Sequence, residues 1–224
     1  MLFSTQLFES AAPIFQAILD HPFIRGIAQG VLPPESLFHY VQQDTLYLKV
    51  YAQVYGIALS QTQDLAQMRL FYRHLGSILE GERVAHQNFC RVAGVDLGSL
   101  EDDPAKLAPT THHYIAHLLS AARSGQLGET VAAILPCHWI YAKWGTRLMQ
   151  DVQPTSTHPF YDWIAFYAAD SLQVGLKELV EELDLSRPGH DRARMRQVFL
   201  DGCHLEYRFF HMAYTLEKWS LSAS

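Results

Sequence analysis

Apolar residues recur along this chain at the three-to-four-residue spacing of an amphipathic helix, and no stretch alternates with the period of two that a half-buried strand needs. That pattern confines the fold to packed helices, because an apolar stripe on one helix must be buried against another element. Over 4–19, Leu7, Phe8, Ala11, Ile14, Phe15 and Ile18 share a face, with Ser4 placed as an N-cap. Pro33, Pro34 and Glu35 open a helix through about residue 61, and Asp64 caps another that runs to Ala93 and ends at Gly94. A turn-rich connector from Asp96 to Pro109 leads to helices over about 110–124 and 129–150. The second of these contains Pro136, which withholds a backbone donor and predicts a kink with a freed carbonyl. His158 and Pro159 start a helix to about Leu185, and a last one spans roughly 189–219. The expected architecture is all-α: one domain over residues 1–224, a bundle of seven to eight helices whose sites form between facing helices.

Composition narrows the function. With 49% hydrophobic residues in 224, the chain can bury a core without disulfides or metals. The net charge of -6 carries no basic stripe, so nucleic acid is not an expected partner. No apolar run approaches the roughly 18 residues of a membrane span. The first ten residues lack the basic and apolar regions of a secretory signal. Cys90, Cys137 and Cys203 are too sparse for a disulfide framework, and free thiols suit a cytoplasmic protein. Twelve histidines and eleven tyrosines supply polar aromatic groups for a pocket.

Four segments could carry chemistry. Cys137 follows Pro136 by one residue, where a disturbed helix opens space, and Tyr141 lies one turn on along the same face. Cys137 is either a nucleophile or a small core residue. Asp44 sits among Tyr40, Tyr47, Tyr51 and Tyr55 at helical spacing. Its carboxylate is either satisfied by tyrosine hydroxyls or anchors the N–H edge of an amino-heterocycle. Glu206, in an aromatic helix with Phe209 and Phe210, is either a desolvated acid/base or a surface residue paired with Arg208. Tyr167 with Asp170, and Tyr114, are either pocket lining or core. Glu82-x3-His86 has the spacing of two metal ligands on one helix face. The matching pair is missing from the obvious places: Val174 follows Asp170, and Phe210 follows Glu206, at i+4. No metal and no nucleotide cofactor is therefore expected.

Four stretches, in order, resemble the TenA family, thiaminase II. His21-Pro22-Phe23-x2-Gly26-Ile27-x2-Gly30-x-Leu32-Pro33 is similar to its opening segment. Tyr40-x2-Gln43-Asp44-x2-Tyr47-Leu48 is similar to its pyrimidine-binding helix, and Leu135-Pro136-Cys137-x-Trp139-x-Tyr141 to its nucleophile segment. Glu206-Tyr207-x-Phe209-x2-Met212-Ala213-Tyr214-x2-Glu217-x-Trp219 is similar to its C-terminal helix. The resemblance implies a haem-oxygenase-like helical fold and a homotetramer. It implies hydrolysis of 4-amino-5-aminomethyl-2-methylpyrimidine to the 5-hydroxymethyl compound in thiamin salvage, with thiamin cleavage beside it and no cofactor. By position Cys137 matches the nucleophile, Glu206 the acid/base and Asp44 the pyrimidine anchor. Tyr47, Tyr114, Tyr141, Tyr167 and Phe209 match residues that orient or stack the ring. His138, Thr45, Ser171 and Leu172 depart from the family's pattern, which bears on the exact pyrimidine. Two other readings stand beside this one: an oxygenase or oxidase on the same fold, with or without di-iron, and a pyrimidine-binding protein without chemistry.

Overall fold

The computed structural model describes every residue except 82, 101–102, 104–105, 186–190 and 222–224. Its helices are α1 Phe3–Leu19, α2 Pro22–Gln29, α3 Pro34–Ser60, α4 Leu65–Gly81, α5 Arg83–Ala93, α6 Pro109–Ala122, α7 Leu127–Val152, α8 Tyr161–Tyr167, α9 Asp170–Asp184 and α10 Arg192–Thr215. A short 3-10 turn covers Leu97–Ser99, and no strand occurs among the described residues. α10 packs chiefly on α7 and also on α1, α3 and α6. α3 packs on α4, α5 and α6, while α8 and α9 close over α7.

The helices follow from where the apolar side chains fall. In α1 the buried positions Phe3, Leu7, Ala11, Phe15 and Ile18 repeat at one-turn spacing. Each large one stabilises the fold by about 1.5–3 kcal/mol against exposure. α7 is buried on every side from Thr130 to Pro136, as a helix at the centre of a bundle must be. It runs unbroken through Pro136, and the Tyr51 hydroxyl donates to the Ile134 carbonyl at 2.8 Å in the preceding turn. Opposite Pro136 lies Gly202 of α10, where a Cβ would come within 2.8 Å of the proline Cγ. The absence of a side chain lets the two central helices close.

Four local expectations are revised. Ser4 is no cap: its backbone N–H and hydroxyl donate to the Asp184 carboxylate at 2.8 and 2.6 Å, so α9 holds the start of α1. Residues 22–29 form a helix the periodicity did not mark, with His21 as N-cap, Pro22 in its first turn and Gly30 closing it at φ 72. The helix expected over 159–185 is two, because Ala169 adopts an extended conformation (ψ 143) between α8 and α9. The last helix stops at Thr215, where Leu216 turns left-handed at φ 56. The tail beyond it caps α6, with Glu217 accepting from the Thr110 N–H at 2.9 Å. The stretch expected as one helix over 64–93 comprises α4 and α5, and residue 82 between them lies outside the described residues.

Candidate active site

A cavity of about 570 Å³ opens among α3, α4, α7, α8 and α9. Asp44 of α3, Cys137 and Tyr141 of α7 and Tyr167 of α8 line it. One helical turn separates Cys137 from Tyr141, and both reach the cavity, as their spacing predicts. Tyr167 arrives through a close backbone approach. A Cβ on Gly145 of α7 would fall inside the van der Waals envelope of the Tyr167 main chain, so only glycine lets α8 lie there. The Tyr141 and Tyr167 rings are 4.7 Å apart.

Tyr47, Tyr114, Glu206 and Phe209 are not among the lining residues; they form a buried layer behind the thiol. Tyr114 donates its hydroxyl hydrogen bond to Glu206 Oε1 at 2.6 Å, and the Cys137 thiol lies near enough to act on the same carboxyl. Tyr47 stacks into this layer, 4.8 Å from Tyr114 and 5.7 Å from Phe209 between ring centres. Three helices, α6, α7 and α10, thus bring phenol, thiol and carboxyl together.

Glu206 is 2% exposed, which removes the surface pairing with Arg208. Burial pushes its carboxyl up to about 8, and the Asp44 carboxylate adds to the rise, while the Tyr114 bond and the Cys137 thiol pull it back. A carboxyl that titrates there exchanges protons with thiols and amines across a small pKa gap, as a general acid/base must.

Asp44 is buried too, and the tyrosine hydrogen bonds observed around it go to other partners. The Tyr40 and Tyr141 hydroxyls bond each other, Tyr51 bonds the Ile134 carbonyl and Tyr114 bonds Glu206. The partner of Asp44 is His86, whose Nε2 lies 2.7 Å from Oδ2. Spacing had placed His86 with Glu82 as a metal pair; Glu82 lies outside the described residues. Among the described residues no group of three or more His, Cys, Asp or Glu is placed to hold a metal ion.

Of the outer part of the cavity, Ser171, Leu172 and His138 were expected through the resemblance, and the α4 residues were not. α4 supplies Arg73, His74 and Ser77, and α9 supplies Ser171, Leu172, Gly175 and Glu178. Asp170 stays exposed in the first turn of α9, apart from Tyr167. Glu178 receives Arg73 at 2.7 Å and lies 3.4 Å from His74. His138, next to the thiol, lines the same wall; burial and the neighbouring His74 push its imidazole down to about 3, so it is neutral. The available signal was Gly175, a glycine inside a helical run: a Cβ there would stand 3.0 Å from His74 and 3.1 Å from His138.

The model of the TENA/THI-4/PQQC family matches residues 9–216. The chain belongs to the TENA/THI-4/PQQC family. Among relatives of this family member, the aminopyrimidine aminohydrolase of Halalkalibacterium halodurans is 33% identical, covering 98% of this chain and 99% of its own. The aminopyrimidine aminohydrolase of Bacillus subtilis is 32% identical, covering 100% of this chain and 94% of its own. Of solved structures, the TenA homologue from P. horikoshii OT3 superposes with a TM-score of 0.83 at 21% identity, covering 96% of this chain and 99% of that one. A domain with a heme oxygenase-like fold from Shewanella denitrificans superposes with a TM-score of 0.72 at 18% identity, covering 95% and 92%. These two likenesses are of fold, and they make this TENA/THI-4/PQQC protein a haem-oxygenase-like helical bundle. No described helix is long and apolar enough to cross a membrane.

Proposed function

We propose that this chain is an aminopyrimidine aminohydrolase that converts 4-amino-5-aminomethyl-2-methylpyrimidine and water into the 5-hydroxymethyl compound and ammonia, with Cys137 as nucleophile. The observation that carries the reading is the hydrogen-bonded Tyr114 and Glu206 pair behind the Cys137 thiol, at a cavity that Asp44 also lines. The names of relatives about one-third identical over the full chain point to the same substrate class.

Asp44 accepts hydrogen bonds from the ring N–H and exocyclic amino edge and favours the protonated ring, which is the better electrophile. The Cys137 thiol gives its proton to the ionised form of Glu206 and the sulfur adds to a ring carbon. Electrons pushed into the ring expel the amine from the exocyclic methylene as Glu206 protonates it. Water then adds to the methylene with Glu206 taking its proton, and the Cys137 sulfur leaves to restore the aromatic ring. Covalent catalysis divides one hard displacement into easier steps. Tyr141 and Tyr167 stand as ring-stacking walls, while Tyr47 and Phe209 support the layer behind. Thiamin, which carries a different leaving group on the same methylene, is a second substrate on this reading. The proposal extends to one domain over residues 1–224, to a homotetramer on the resemblance, and to cytoplasmic residence on the sparse cysteines.

Purified protein incubated with the aminomethylpyrimidine, beside Cys137→Ser, tests the reading. Ammonia release by the parent, reduced at least about 1,000-fold in the variant, is expected of a lost nucleophile. Release by both at similar rates would remove Cys137 from the chemistry, and none from the parent would end the aminohydrolase reading.

A further inference from the structure

His86 has no place in the reaction just described, and it is not among the residues that line the cavity. Its position nonetheless bears on the anchor. It reaches from α5 to α3, and its Nε2 lies 2.7 Å from Asp44 Oδ2 where both side chains are buried. We infer that His86 is a positioning residue for pyrimidine binding, which fixes the plane of the Asp44 carboxylate so that its remaining acceptor sites face the N–H edge of the ring. This inference rests on the aminopyrimidine reading of the same site.

The geometry carries it in two steps. A carboxyl group turns easily about its last torsion, so a lone aspartate on a helix does not present a defined pair of acceptors. One hydrogen bond from a second element removes that freedom, and here it comes from a ring held in the packed core rather than from a flexible chain. A carboxylate offers about four lone-pair sites. His86 occupies one, which leaves enough for a ring N–H and an exocyclic N–H together. The four tyrosines around Asp44 could not do this: Tyr40 and Tyr51 are committed to other partners, and Tyr47 and Tyr55 face the aromatic core. The role is positional, since His86 is not among the residues that line the cavity.

Calorimetric binding of 4-amino-5-hydroxymethyl-2-methylpyrimidine, the product, reads this without turnover. His86→Ala is expected to weaken binding about tenfold or more, the scale of a lost hydrogen bond to a charged group, and to raise KM with kcat changed less than about threefold. His86→Gln keeps an N–H near the Nε2 position and is expected to restore most of the affinity. With Asp44→Ala already made, His86→Ala is expected to cost no further affinity, because the group it aims is gone. Parent-like binding by His86→Ala, additive losses in the double variant, or no rescue by His86→Gln would overturn the inference. A parent that fails to bind the pyrimidine at all would instead overturn the aminopyrimidine reading beneath it.

Discussion

Glu206→Gln should make this protein more stable as it makes it inactive, and the size of the gain is set by burial. The amide keeps the volume of the carboxyl and can still accept from Tyr114, whose hydroxyl stands 2.6 Å from Oε1. What it loses is the titrating proton. In the folded protein that proton is held to about pH 8, against 4.5 for an ordinary glutamate. Between those values the folded state carries a proton that the unfolded state has released, so parental stability falls as pH rises, and it levels off above about 8. At 1.36 kcal/mol per pH unit the loss between pH 5 and pH 8 comes to roughly 3–4 kcal/mol, and the variant lacks it. Urea melts of both proteins at pH 5, 7 and 8 measure the difference. The variant's advantage should widen by at least about 2 kcal/mol across that range and then stay flat. Parallel stability profiles would refute the idea that a buried, proton-retaining Glu206 sits behind the thiol.

Two further perturbations test the framework around it. Tyr114→Phe removes a bond that pulls the Glu206 carboxyl down, so a carboxyl-carbon NMR titration should place its midpoint above about 8, and a lower or unchanged midpoint would contradict the observed pairing. Gly145→Ala forces a methyl into the Tyr167 main chain and should cost about 1–3 kcal/mol in a urea melt, with unaltered stability showing that α7 and α8 are not so close.

What could be read from the residues alone follows a physical boundary. Periodicity reports which face of a helix is buried, so α1, α3 and α7 were legible, and so was the shared face of Cys137 and Tyr141. It is weak over short elements, and α2, with eight residues, was passed over although Pro22 and Gly30 bracket it. The break at Ala169 was invisible because it rests on one residue's backbone conformation, which periodicity does not report. The same limit governs the site. Asp44 was legible as a carboxylate that needs a partner, but which partner depends on how α3 crosses α5, and tyrosines of its own helix were the wrong place to look. Glu206 was legible as a desolvated acid from its aromatic neighbours, whereas the phenol that bonds it comes from α6, 92 positions away.

The contact of Gly145 with the Tyr167 main chain gives the chamber an uneven capacity for change. Where two backbones touch, spacing is set by the chain itself, and no exchange of side chains alters it gradually. The inner end, with Cys137, Tyr141 and Tyr167, is therefore rigid architecture. The outer wall is built differently: Ser171 and Leu172 project from the first turn of α9, which begins afresh at an extended residue. New substrates for this scaffold would accordingly be won by rewriting that wall while the acid and thiol keep their places, and the departures at Ser171 and Leu172 fall on the side where variation is cheap.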